Sequence, residues 1–393
     1  MQLNIQALGQ IKVALLMLSV LAFMMTAWAA AAAATVSEWP GGSAVQTVDA
    51  SGTFSSNLSG LAYEASGSAT PGVLWAVRNG PERLYRLVWD GTIWTPDTAD
   101  GWATGKELRY PNGSIRPDTE GIAFAAGTAD GFYVGTERSN AVGAVRRNSI
   151  LRFDASAAAP LNATHEWNLT ADLPAVGGPN EGIEGITWIP DSFLTAKGFF
   201  DESKGRAYTP ADYSDHAGGI FFVGVEATGI IYGYALNHAD SSFTRVAEIG
   251  SPFLAVMALD FDRELHNLWA VCDDFRNVSG TPGCNGRAAV LEIDTHPGSP
   301  TKGQFVVTHV YERPAGMPNL NNEGFTMAPQ AECVDNLKPA FWADDNDTGG
   351  HSIRAGTVTC GPLDKDQCKN DGWQRFGIFN NQGQCVKFVN AGD

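Results

Sequence analysis

The sequence predicts an all-β fold, a β-propeller of four-stranded antiparallel blades. Three observations carry that expectation: an internal repeat, a composition rich in Gly and aromatics but poor in charge, and short apolar runs separated by turn residues. The 393 residues include 44 Gly, 20 Phe and 11 Trp, while charged residues make up 18%, below the roughly 25% of an average soluble domain. With 44% hydrophobic residues, a large packed core is available and intrinsic disorder is disfavoured.

The repeat is a four-residue phrase of small, aliphatic, small or polar, and large apolar columns. It reads Gly60-Leu-Ala-Tyr63, Gly121-Ile-Ala-Phe124, Gly185-Ile-Thr-Trp188, Ala258-Leu-Asp-Phe261 and Gly324-Phe-Thr-Met327, at spacings of 61, 64, 73 and 66 residues. Such a period marks a repeat array. A second strand follows each phrase: Val73–Val77, Phe132–Thr136, Ile220–Val225, Asn267–Cys272 and Ala340–Ala343. Third strands are expected at Arg83–Trp89, Ser149–Phe153, Ile230–Leu236, Ala288–Ile293 and Ser352–Val358, and fourth strands at Glu107–Tyr110, Thr164–Leu169, Thr244–Ile249 and Phe305–Tyr311. Strands at this density with Gly, Asn and Pro between them are antiparallel meanders, and four per unit make a propeller blade.

Five blades result. The fifth lacks a fourth strand, and Ala44–Ala50 precedes the first phrase without a partner, so the N-terminal stretch is expected to supply that outer strand and close the ring. A sixth blade would have to come from Pro190–Gly219, which lacks the phrase and has loop composition; it reads as an insertion between the first and second strands of blade three.

Residues 1–34 carry one charge, Lys12, then an apolar run from Val13 to Trp28 and an Ala-rich stretch. This is the layout of a secretory signal peptide, and the run is shorter than the roughly 20 residues of a membrane-spanning helix. The product is expected outside the cytoplasm, periplasmic or extracellular, with no membrane span after cleavage. The six cysteines Cys272, Cys284, Cys333, Cys360, Cys368 and Cys385 then read as disulfides, with sequential pairing favoured because it closes three short loops. Beyond a propeller spanning 35–362, residues 363–393 form a tail too short to bury a core unaided, so a Cys368–Cys385 bridge is expected to staple it. This tail resembles one found at the ends of other exported bacterial proteins.

Charge argues against nucleic acid as a partner, since 26 Lys and Arg stand against 43 Asp and Glu and phosphate-backbone binding needs clustered cations. Part of the acidity has an address. In an antiparallel blade the start of strand one and the end of strand two share an edge, and these points carry Glu120, Glu184 and Glu323, each directly before a phrase glycine, with Glu137, Glu226, Asp273, Asp274, Asp344 and Asp345 at the strand-two ends. Blade one has Ser59 and blade four Met257 at the first of these points. Two unit charges about 4 Å apart repel by roughly 4 kcal/mol at an effective dielectric near 20, so such a ring needs a cation, raised pKa values or arginine neighbours. Oxygen donors without His or Cys favour a hard ion, Ca²⁺ above all. Asp260 joins the candidate ligands because it stands in a column held elsewhere by Ala62, Ala123, Thr187 and Thr326, where a carboxylate needs a partner or a role. The predicted metal set is therefore Glu120, Glu137, Glu184, Glu226, Asp260, Asp273, Glu323 and Asp345. An architectural reading stands beside it, in which the phrase glutamates accept backbone N–H bonds and hold blade to blade.

The order Leu58-Ser-Gly-Leu-Ala-Tyr, Asp118-Thr-Glu-Gly-Ile-Ala-Phe, Asn180-Glu-Gly-Ile-Glu-Gly-Ile-Thr-Trp188 and Asn322-Glu-Gly-Phe325 resembles the phytase-like propeller family, described as having esterase-like activity of phytase. The resemblance covers about residues 50–360. It implies a propeller and hydrolysis of a small phosphate ester, and in characterised β-propeller phytases rim carboxylates hold several Ca²⁺ ions that bind phosphate. A protein this acidic would repel an anionic substrate unless a cation inverted the local field. Arg78, Arg138 or Arg116 would neutralise developing charge, and Glu184 is the preferred general base or ligand because Glu181-Gly-Ile-Glu184 offers two carboxylates in one loop. Two other classes stay open. A Ca²⁺-dependent lactonase of gluconolactonase type would use Glu120 or Glu323 with Asn79 and Asp273. A non-catalytic binding propeller is the third, since no G-x-S-x-G motif is present.

Overall fold

The computed structural model describes residues 35–393 apart from 69, 114–115, 127–130, 142–144, 176–177, 274–283, 363, 377–378, 380 and 392–393. The predicted leader at 1–34 and the candidate Asp274 lie outside the described residues.

Five antiparallel sheets follow one another along the chain, each beginning with a repeat phrase on its innermost strand. Blade one comprises Leu58–Glu64, Val73–Asn79 and Glu82–Trp89, with Trp94–Pro96 and Lys106–Arg109 both pairing to the third strand. Blade two is Pro117–Phe124, Phe132–Ser139, Val145–Phe153 and His165–Asn168. Blade three is Ile183–Pro190, Gly219–Val225, Ile230–Leu236 and Phe243–Gly250. Ala258–Asp262, Asn267–Val271, Ala288–Ile293 and Phe305–Tyr311 make blade four. Asn322–Met327, Leu337–Asp344 and Ile353–Thr359 make blade five, whose outermost strand is Gln46–Thr47, paired antiparallel with Ala355 and Arg354.

Outer edges are covered by borrowed strands. Val36–Ser37 runs parallel to the last strand of blade four, and Leu161–Asn162 parallel to Lys106–Arg109 of blade one. Unpaired edge N–H and C=O groups would otherwise template aggregation.

The phrase glycines sit where neighbouring inner strands nearly touch. A Cβ on Gly121 would lie 2.6 Å from the Glu184 carbonyl, and one on Gly324 would lie 2.2 Å from the Ser59 carbonyl. No side chain fits there, which explains the recurring small residue, and the second contact sets blade five beside blade one. Large aromatic residues of the strands outside the phrases fill the wedges between blades. Trp75 of blade one packs edge-on to Phe132 of blade two at 4.5 Å, and Phe222 of blade three meets Phe305 of blade four at 5.7 Å. Trp39, from the N-terminal stretch, lies 5.7 Å from Trp269 and 5.4 Å from Trp342 and donates its indole N–H to the Thr357 carbonyl at 2.7 Å. Burying a large apolar side chain is worth roughly 1.5–3 kcal/mol, so each wedge holds its two blades together.

The insertion in blade three is more ordered than its composition suggests. It holds an α-helix, Asp191–Lys197, ended by Gly198 in the left-handed region, then a short hairpin pairing Phe200–Asp201 with Arg206–Ala207. It contributes no sixth blade.

Cysteines pair sequentially as Cys272–Cys284, Cys333–Cys360 and Cys368–Cys385. Three bridges point to an oxidising compartment. The last one lies in the tail, where Cys368 and Phe376 are buried together with Cys385 of the helix Gln382–Ala391. No helix among the described residues is long and apolar enough to cross a membrane.

Candidate metal centre

Register brings the predicted edge together. Pro117 pairs with Ser139, Ile183 with Val225 and Asn322 with Asp344, so strand-one starts and strand-two ends meet at one mouth of the channel between the inner strands. A cavity of about 230 Å³ there is lined by Glu120, Glu137, Glu184, Glu226, Glu323 and Asp345, by Arg138, and by Asn57, Asn79, Asn180, Asn321 and Asn346.

Three groups of carboxylates interlock within it: Asp118, Glu120 and Glu137; Glu120, Glu184 and Glu323; and Glu137, Glu184 and Glu226. In each group one oxygen per residue lies within 4.8 Å of the others. Oxygens around a Ca²⁺-sized ion at 2.3–2.6 Å can be at most about 5 Å apart, so this spacing suits a shared hard cation. Glu120, Glu137, Glu184 and Glu226 are 2%, 1%, 4% and 4% exposed. They are therefore not solvated loop acids.

Burial raises the pKa of Glu120, Glu184 and Glu323 well above the carboxylate range, and neighbouring acids add to it: Asp118 for Glu120, Glu120 for Glu184, Asp345 for Glu323. Burial takes Glu137 to about 8, against the Gly182 N–H that it accepts at 3.0 Å. Asp345 is pushed to about 6, again by burial, although Asn321 donates to its Oδ2 at 3.2 Å. No hydrogen-bond donor among the described residues reaches its buried Oδ1. Burial thus outweighs the local donors at these acids, and an oxygen-only donor set without His or Cys fits a hard cation better than zinc.

Two kinds of partner do compensate. Arg138 forms an ion pair with Asp118 through Nε and approaches Glu137 at 4.0 Å. Carboxamides serve two more: Asn79 donates to both oxygens of Glu120 at 3.2 Å, and Asn321 donates to Glu323 at 3.1 Å. Asp118 and most of these asparagines escaped the sequence reading because Asp118 lies two residues before the phrase acid and because Asn is common in propeller loops.

Other candidates fall elsewhere. Asp260 is not at this mouth; it lines a second, larger cavity at the other end of the channel and accepts the Met327 N–H at 2.9 Å. The reason is its column: it stands two residues beyond the phrase start, further along the strand, so it cannot reach the mouth. Arg78 donates Nε to the Ser56 carbonyl at 2.9 Å and does not line the cavity, and Arg116 pairs with Glu82 at 3.1 Å. Glu181 accepts the Gly178 N–H within its own loop at 3.0 Å, leaving Glu184 as the mouth carboxylate of that pair. Asp344 accepts the Thr348 N–H at 2.9 Å and faces Arg354, a turn-holding role. Asp273 is buried close enough to Glu323 to raise its pKa.

No family model and no curated protein matches this sequence. Among solved structures it is similar to a chain of a nidogen/laminin complex, with a TM-score of 0.34 and 11% identity over 77% of this chain and 86% of that one. It is also similar to a functionally unknown protein from Desulfotomaculum acetoxidans DSM 771, with a TM-score of 0.32 and 11% identity over 78% and 75% of the two chains. The propeller assignment rests on the chain's own five sheets.

Proposed function

We propose that the protein is an exported, Ca²⁺-dependent hydrolase of small phosphate esters, acting at the acidic mouth of its channel. One observation carries the reading: three interlocking groups of buried carboxylates share Glu120, Glu137 and Glu184 around one cavity. Glu120, Glu184 and Glu323, with Glu137 and Glu226, would hold the ion, and Asp345 and the carboxamides would complete the oxygen set. A bound cation supplies the positive field that an anionic substrate needs and lowers the pKa of an attacking water.

The chain's own groups divide the remaining work. Among the described residues, Arg138 is the one arginine lining the cavity and would hold a substrate oxygen. Glu184 borders both this cavity and the constriction beneath it, where it would accept a proton from water once a bound cation had ionised it. Asn79 and Asn321 fix the carboxylates that they touch.

The carboxamides favour a second reading. Glu120 and Glu323, each bonded to an asparagine, resemble the Glu, Asn and Asp donor set of a gluconolactonase-type site. Thermal melts in EDTA and in CaCl₂, followed by turnover assays on p-nitrophenyl phosphate, phytate and an aldonolactone, separate these. A Ca²⁺ shift with phosphate release supports the first reading and lactone opening supports the second. A Ca²⁺ shift without turnover leaves a binding propeller, and no Ca²⁺ shift removes the metal from all of them.

A further inference from the structure

The channel has two compartments. Beneath the acidic mouth it narrows to a space of about 10 Å³ between the phrase glycines, room for one water molecule at most, which needs about 10–15 Å³. Beyond the constriction it widens into a cavity of about 560 Å³, within the roughly 300–1,000 Å³ of small-molecule sites. This room exists because Ala62, Ala123, Thr187 and Thr326 are small, while the next residue along each strand is large. Tyr63, Phe124 and Trp188 supply aromatic walls.

Charge selects the occupant. The lining holds four carboxylates, Glu64, Asp260, Asp262 and Glu264, against two cations, Arg263 and Lys338. Both cations are engaged. Lys338 Nζ lies 2.7 Å from Asp262 and 3.7 Å from Glu264, and Arg263 donates to the Ala125 carbonyl at 2.6 Å with its guanidinium 5.0 Å from the Trp188 ring. Asp260 accepts the Met327 N–H at 2.9 Å and a hydrogen bond from Thr326, and Lys338 and Arg263 are near enough to favour its charge, but no cation among the described residues stands at ion-pair distance from it. A carboxylate in an aromatic-walled cavity is complementary to an ammonium group carrying an apolar body.

We propose that this cavity is a ligand site separate from the acidic mouth, taking a small amphipathic amine whose ammonium group meets Asp260 and whose body lies against Tyr63, Phe124 and Trp188. The site is independent of the function proposed for the other mouth. Calorimetric titration of the full chain with 2-phenylethylamine and with neutral 2-phenylethanol tests it, at a pH above the value of about 7 to which burial raises Asp260. The amine should bind at least about tenfold more tightly than the alcohol, and Asp260→Asn should remove that preference. Ala62→Met, which keeps the carboxylate but fills the cavity, should weaken both ligands. Saturating CaCl₂ should leave the amine affinity within about twofold. The proposal fails if the amine does not bind, binds no better than the alcohol, is displaced by Ca²⁺, or is indifferent to either substitution in a folded variant.

Discussion

Ser59 donates its hydroxyl to Glu323 Oε2 at 3.1 Å, joining the first blade to the fifth across 264 residues of sequence. Ser59 stands where blades two, three and five carry an acid, so blade one contributes a donor to the ring of acceptors. Removing it leaves Glu323 with Asn321 as its remaining donor. Ser59→Ala should lower stability by about 1 kcal/mol in EDTA, read from urea midpoints, and by less in CaCl₂ if a cation takes over the freed oxygen.

The acid mouth should make stability fall as pH rises. A carboxylate whose folded pKa is raised holds its proton longer in the native state than in the unfolded chain. Its stabilising effect is complete below the unfolded value, 3.8 for Asp345 and 4.5 for Glu137, and is lost as pH climbs to the folded value. With Asp345 at about 6 and Glu137 at about 8, the melting temperature in EDTA should drop between about pH 3.8 and pH 8. Calcium competes with those protons, so binding should release protons and flatten the fall. Melting curves across this range, with and without CaCl₂, check both.

Arg138 and Arg78 should separate in their effect on turnover. Arg138 lines the cavity and is ion-paired to Asp118, whereas Arg78 holds the Ser56 carbonyl. Arg138→Ala should reduce kcat/KM on p-nitrophenyl phosphate by roughly tenfold to a hundredfold, about 1.4–2.8 kcal/mol. Arg78→Ala should leave it within about twofold.

Lys338 and Asp262 form a buried ion pair at 2.7 Å, their side chains 2% and 1% exposed. Lys338→Met strands a buried carboxylate and should cost about 3–5 kcal/mol. Adding Asp262→Asn should recover much of that loss, which chemical denaturation of the single and double variants will show.

How far the sequence reaches is clearest at Glu184 and Asp260. Both were candidate ligands by residue type. Glu184 precedes a phrase glycine, and because strand pairing carries that position to a shared edge, its place at the mouth followed from the repeat alone. Asp260 lies two residues beyond a phrase start, at the other end of the channel. Asp118 shows the converse: nothing in the repeat marked it, and only the pairing of Pro117 with Ser139 sets it beside Glu137 and Arg138. The helix Asp191–Lys197 was illegible for a different reason, since Phe193 and Leu194 are buried by tertiary packing within a locally polar stretch.

Local rules, repeated five times, were enough to predict the blades, their strand order and the strip of acids along one edge, while short loops between neighbouring cysteines favoured the sequential pairs without fixing them. Short apolar runs between turn residues and a recurring small residue are written in neighbouring positions, and each repeat restates them. Which acids share an ion-sized space, which are matched by asparagine or arginine, and where the channel divides in two depended on approaches between residues of different blades. Those distances arise only when the wedges of Trp, Phe and Tyr set the blades side by side, because burial and charge proximity are properties of the assembled ring and of no single segment.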